Sequence, residues 1–133
     1  MAELIVQTLD LKEDPRLMEF YRQAHAPGNI WPEIPAGIRA VGVERMDIFI
    51  EGTRLVMLMQ MADGIDRDEA MARLATLPRQ AEWEDYVGRA QACAPGSTSG
   101  GKWRPMAQIF TLPEMCAEEC GRILAQASDN DHK

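Results

Sequence analysis

Apolar and polar positions along the chain change period several times, and each change marks an element. Leu4 to Leu9 is rich in β-formers (Ile5, Val6, Thr8) and reads as a first strand. Asp14-Pro15 supplies an N-cap and a first-turn proline. From Arg16 to Ala26, Leu17, Phe20 and Ala24 recur at helical spacing, beside a stripe of Met18, Tyr21 and His25. Pro27-Gly28 stops this helix, and a second short one is expected from Trp31 to Val41, ended by Gly42. Val43 to Ile50 then alternates with period two: Met46, Ile48 and Ile50 on one face, Arg45, Asp47 and Phe49 on the other. Glu51-Gly52-Thr53 makes a hairpin to Arg54–Met61, where Leu55, Met57, Met59 and Met61 share a side. Helices are expected at Arg67–Leu77, broken before Pro78, and at Arg79–Ala92, with Trp83, Tyr86, Val87 and Ala90 as the apolar stripe. Ala94 to Gly101 has the composition of a flexible loop or lid. A last strand over Met106–Leu112 and a helix from Pro113 complete the pattern.

The order β-α-β-β-α-β specifies an α+β, ferredoxin-like (split β-α-β) antiparallel sheet with helices on one face. Residues 1–127 form one domain in this reading, and Ser128 to Lys133 a polar, frayed tail. One sheet face lacks cover within the chain. Either Met46, Ile48 and Ile50 or the opposite stripe must bury against something else, and a second copy is the simplest partner. A homodimer, in a dimeric α/β-barrel-like association, is therefore expected.

Charge narrows the partners. The chain has 133 residues and a net charge of −7, with its 14 basic residues scattered. Nucleic acid demands a concentrated basic surface, which is missing, and anionic membranes are disfavoured for the same reason. No apolar run reaches the ~18–20 residues of a membrane span. The start, Met1-Ala2-Glu3-Leu4, lacks a signal peptide's basic and apolar regions, so a cytoplasmic location is expected. Three cysteines are an odd number, which suits a reducing compartment. Cys116 and Cys120 read as half-buried helix residues rather than metal ligands, and the strand methionines as plastic core filler rather than a copper site. No metal and no cofactor are expected. A small neutral ligand such as a monosaccharide meets no electrostatic barrier.

Of the two histidines, His132 lies in the polar tail. His25 ends a helix that carries Tyr21 one turn earlier on the same face, with Trp31 following closely. An imidazole titrates near neutrality and so can give or take a proton, while tyrosine and tryptophan supply flat walls suited to a sugar ring. The plainer alternative is an imidazole placed at a helix C-terminus by the macrodipole. No serine or cysteine has the setting of a nucleophile, and Gly96-x3-Gly100-Gly101 lacks the context of a phosphate loop.

Tyr21-x3-His25-Ala26-Pro27-Gly28-Asn29-Ile30-Trp31-Pro32-Glu33 resembles the signature of the L-rhamnose mutarotase family. The match continues through Gly42, the hairpin, Trp83 and Tyr86 to Ile109-Phe110-Thr111-Leu112-Pro113. That resemblance implies a cofactor-free dimeric ferredoxin-like enzyme with a pyranose pocket, His25 as acid/base, and Tyr21, Trp31, Trp83 and Tyr86 around the sugar. Glu84 stands where the family has a second tryptophan, and Met46 where it has a sugar-binding tyrosine. Gly52-Thr53-Arg54-Leu55 and Met71 to Glu84 look more like the branch associated with L-fucose. The implied activity is exchange of the α and β anomers of a 6-deoxy-L-hexose, L-fucose first and L-rhamnose next, with Asp47 or Glu84 as candidate proton relays. Competing readings are a ferredoxin-like dimeric monooxygenase, with His25 as haem ligand or facing an aromatic substrate, and a non-catalytic ligand-binding module.

Overall fold

The computed structural model describes residues 4–131. Its sheet has four antiparallel strands in the order β2-β3-β1-β4, where β1 is Leu4–Asp10, β2 Val43–Glu51, β3 Arg54–Met61 and β4 Arg104–Pro105. This is the arrangement expected from the pattern, with the hairpin strand β3 inserted between β1 and β2. Register puts Ile5, Gln7 and Leu9 beside Met59, Met57 and Leu55, and these beside Met46, Ile48 and Ile50. That stripe is the covered face. A bulge between Val43 and Arg45 shifts the register by one residue, so Val43 is buried on the same side as the partly buried Met46, Ile48 and Ile50.

Helices α1 (Pro15–Ala24), α2 (Glu33–Ala40), α3 (Arg67–Leu74) and α4 (Gln80–Gly88) supply the buried residues that oppose this stripe, among them Tyr21, Ile34, Leu74 and Trp83. Asp14 caps α1 by accepting from the Arg16 amide at 2.9 Å, and Asp66 caps α3 by accepting from Glu69 at 3.0 Å. Gly42, at φ +102°, turns the chain from α2 into β2, and a Cβ there would come within 2.9 Å of Ile65. The opposite stripe, including Leu4, Val6, Val56, Leu58 and Phe49, is left partly or largely exposed. Of the two stripes weighed from sequence, Met46, Ile48 and Ile50 are the covered one.

Several boundaries differ from the sequence pattern. Helix α4 stops at Gly88, short of Ala92, because the following residues pair with the end of β1. The Lys12 amide donates to the Ala90 carbonyl at 2.8 Å, Ala92 to Asp10 at 2.8 Å, and Leu11 bridges to Gln91. Ser99–Lys102, within the expected flexible loop, forms a one-turn helix, α5, held against α3. The expected strand Met106–Leu112 is not formed. Pairing covers only Arg104 and Pro105, and the Met106 amide adds a last bond to the Val6 carbonyl at 2.7 Å. Extending that register places Gln108 opposite Leu4, so residues 109–112 face no described residue of β1. Ile109, Phe110 and Leu112 have the composition of a strand but no partner strand among the described residues, and are 97%, 71% and 79% exposed. Helix α6 (Ala117–Asp131) follows, running through the start of the expected tail; His132 lies outside the described residues.

Candidate active site

A cavity of about 620 Å³, counting its open mouth, lies between the covered face of the sheet and helices α1, α2, α3 and α4. Its strand side is Gln7, Met46, Ile48 and Met57, and much of the rest is aliphatic. Two groups of side chains break the apolar lining.

The first comes from one turn of α1. Tyr21 is buried, and His25, the residue that caps the helix, is half-buried, their rings 4.3 Å apart. The His25 Nδ1 lies 2.8 Å from the Tyr21 carbonyl. A carbonyl only accepts, so Nδ1 carries the proton, and in the neutral ring Nε2 is the basic nitrogen left for a ligand. Burial lowers the His25 pKa below the ordinary value of 6.5, partly offset by this hydrogen bond. The neutral imidazole is thus favoured at pH 7. For Tyr21, burial pushes the hydroxyl pKa up; a Gln91 hydrogen bond opposes the shift and the Glu84 charge adds to it. The hydroxyl remains a proton-bearing donor.

Opposite stands α4. The Trp83 ring meets His25 edge-on at 5.2 Å, so imidazole and indole form adjacent sides of one space. Trp31 packs on the far side of Trp83 at 5.2 Å, and on Tyr86 at 5.1 Å. Neither Trp31 nor Tyr86 lines the cavity. They form the backing that fixes Trp83, helped by Arg79, whose guanidinium lies 4.0 Å over Trp31 and donates to Glu33 at 3.2 Å. Arg79 itself is left-handed, at φ 65°, where it caps α4. A non-glycine residue there carries strain of about 1–3 kcal/mol, sustained by these contacts.

Of the residues singled out in the sequence, Tyr21, His25, Met46, Trp83 and Glu84 meet at the cavity. Asp47 does not: it accepts from Arg45 at 2.7 Å on the exposed sheet face, because its strand parity is opposite to that of Met46. Four polar groups escaped the sequence pattern. Gln80 and Gln91 are buried in the wall, with Gln7 at the strand side, and Lys102 is buried behind it. Gln7 shares the inward parity of Ile5 and Leu9, and Gln80 lies one turn from Glu84; a polar residue at an apolar position was the available signal. Lys102 gave none. Among the described residues no cluster of histidine, cysteine, aspartate and glutamate could hold a metal, and no helix is long and apolar enough to cross a membrane.

Comparison with known proteins agrees with this architecture. The crystal structure of an L-rhamnose mutarotase from Formosa agariphila superposes with a TM-score of 0.61 at 19% identity, covering 84% of this chain and 99% of that one. Tetracenomycin F2 cyclase from Streptomyces glaucescens, a type-II polyketide cyclase, superposes at 0.52 and 19% identity with the same coverage. These two likenesses establish the fold. In sequence, an L-fucose mutarotase of Xanthomonas campestris pv. campestris is 39% identical over 113 residues, 85% of this chain and 90% of that protein. The family model for L-rhamnose mutarotase matches residues 5–112, which reach every strand and include the whole cavity lining, and the chain belongs to the L-rhamnose mutarotase family.

Proposed function

We propose that this protein is an isomerase, an aldose mutarotase that exchanges the α and β anomers of a 6-deoxy-L-hexose, L-fucose ahead of L-rhamnose, with His25 moving the protons. Membership of the family and the 39% identical L-fucose mutarotase support the activity and the sugar. The observation that carries the role of His25 is its position: a neutral imidazole beside a cavity, Nδ1 tied to a carbonyl and Nε2 left basic, with Trp83 across from it.

In this reading Nε2 takes the proton of the anomeric hydroxyl as the bond between C1 and the ring oxygen breaks. The ring oxygen keeps that electron pair and receives a proton from the imidazolium. One ring serves both steps because the two oxygens share a carbon. The open aldehyde turns about C1–C2 and recloses on its other face, reversing each transfer. Tyr21 donates to a sugar hydroxyl, while Trp83 and Met46 bound the ring. Assisted proton transfer of this kind contributes about 10²–10⁴-fold. Saturation transfer between anomeric protons tests it: L-fucose should exchange faster than in buffer, L-rhamnose less so, D-glucose least. No acceleration with either L-sugar would remove the proposal.

We infer as well that the working form is a cytoplasmic homodimer. The open face bearing Leu4, Val6, Val56, Leu58 and Phe49, and the exposed Ile109, Phe110 and Leu112, leave apolar side chains uncovered that a second copy would bury. Three free cysteines suit a reducing compartment. Light scattering after size exclusion should give twice the mass of 14.9 kDa.

A further inference from the structure

Glu84 is the one carboxylate in the cavity wall, and the structure surrounds it with donors. The Lys102 Nζ forms an ion pair with Oε2, with side-chain exposures of 1% and 8%. Gln80 donates to Oε1 at 2.7 Å, and the Ser99 hydroxyl donates to the same oxygen. Lys102 also donates to Gln91 at 2.7 Å, and Gln91 in turn bonds the Tyr21 hydroxyl. Ser99 and Lys102 are the two ends of α5. That helix reaches the cavity because Gly100 sits against Met71, where a Cβ would lie 3.0 Å from the Met71 Cβ, and because Arg67 donates to the carbonyls of Gly100 and Trp103 at 3.1 and 3.2 Å.

A buried ion pair is a poor stabiliser, since desolvating both charges offsets their attraction. Here Glu84 stands in the cavity wall with Lys102 behind it, where a well-packed apolar pair would serve stability as well. A carboxylate has about four acceptor positions. Three of Glu84's are filled from within the protein: two on Oε1 and one on Oε2. One acceptor position on Oε2 is left for a ligand, and a hydroxyl is the neutral donor that fits.

We propose that Glu84, held by Lys102 and α5, is the residue by which this cavity selects among diastereomeric sugars, accepting one ring hydroxyl on Oε2, with Lys102 a positioning residue that acts through it. The inference rests on the mutarotase reading for its substrate class and deepens it. L-fucose and L-rhamnose differ only in configuration at C2 and C4. A fixed acceptor at one of those hydroxyls therefore separates them, and a site built to bond a hydroxyl discriminates strongly against a ligand that leaves it unmet.

The test is anomer exchange at a range of L-fucose and L-rhamnose concentrations, with the intact protein and K102M, E84Q, S99A and the double variant E84Q/K102M. The double variant removes both charges together, so neither is stranded. In E84Q, K102M and the double variant, KM for the favoured sugar should rise roughly 10–100-fold, the range for losing a charge-assisted hydrogen bond, with kcat changing less than about threefold. S99A should move KM the same way by less. The ratio of kcat/KM between the two sugars should fall toward one, and the acid limb of the pH profile should stay where it is. Folded variants with an unchanged ratio would overturn the proposal, whether KM is unmoved or rises equally for both sugars. Loss of folding in all of them would assign the network to stability and overturn it too. If the unmodified protein accelerates neither sugar, the mutarotase reading fails. The same variants then decide this inference by calorimetric binding of the two sugars: a preference lost in the double variant upholds it, and no preference, or one retained, overturns it.

Discussion

The two walls of the cavity are built in different ways. On one side, Tyr21 and His25 come from a single helical turn, and the bond that fixes the imidazole runs four residues back along the same helix. On the other, Trp83 and Glu84 are adjacent on α4, but what holds them arrives from Trp31, Arg79, Ser99 and Lys102. The first wall is as stable as its helix. The second depends on several segments meeting, so it should be the easier one to disturb from a distance and the one more open to change of specificity.

Breaking the first wall should have the largest effect on chemistry. His25→Ala is expected to lower kcat for anomer exchange by about 10²–10⁴-fold. Half-buried and at a helix end, His25 carries little of the core, so the melting temperature should fall by only a few degrees. A variant that keeps more than a tenth of the activity would show that the proton passes elsewhere.

Trp83→Ala attacks the second wall and should be read mainly in stability. Trp83 is 5% exposed and touches His25, Trp31 and Tyr86. Truncating a buried tryptophan costs about 3–5 kcal/mol, and denaturant titration would measure it. Trp31→Ala, which removes only the backing, should cost less and raise KM by letting Trp83 move. Equal losses in both would mean that the aromatic cluster acts as one unit and that the distinction between lining and backing is false.

Acidity sharpens the comparison, because His25 of the first wall is the cavity group whose charge changes near neutrality. Its pKa is lowered by burial, so the acid limb of kcat/KM should lie below pH 6.5, with activity level through neutral pH. The same shift affects folding. Between the unfolded and folded pKa values the unfolded chain binds the extra proton, so stability is full above pH 6.5 and declines as pH falls toward the folded pKa. His25→Gln removes this dependence. The difference in melting temperature between wild type and His25→Gln should therefore shift against the wild type from pH 7.5 to pH 5; a constant difference would contradict the burial of the imidazole.

How much of this was legible follows the same division. Tyr21 and His25 were visible because i, i+4 neighbours on a helix share a face whatever the rest of the chain does. The element order, the hairpin and the covered methionine stripe were visible because strand parity is local. Lys102 was not, since it lies eighteen residues beyond Glu84 in a segment rich in serine and glycine that reads as a linker; only the docking of α5 on α3 makes it part of a site. Aromatic character does not say which side of Trp83 a ring takes, so spacing alone does not separate Trp83, which lines the cavity, from Trp31 and Tyr86, which pack on it. The strand expected at Met106–Leu112 failed for a related reason: composition marks a segment that wants a partner strand, without saying whether its own chain has an edge to offer.

The smallest effect expected is at a carboxylate that belongs to neither wall. Asp47 was a candidate relay in the sequence, and the alternation of β2 turns it to the open face, where it pairs with Arg45 at 2.7 Å with both side chains substantially exposed, 40% and 62%. An exposed pair of this kind contributes about 0–1 kcal/mol, and less in salt. Asp47→Asn should therefore leave the melting temperature within a degree or two and kcat for anomer exchange within about twofold, while Glu84→Gln, a change of the same chemical size on the cavity side, raises KM at least tenfold. Asp47 stands on the open sheet face beside an exposed arginine, and Glu84 in the cavity wall beside a buried lysine. A loss of kcat in Asp47→Asn comparable to that of His25→Ala would mean that the reacting sugar sits beyond the covered face, and that the cavity between α1 and α4 is not where the chemistry happens.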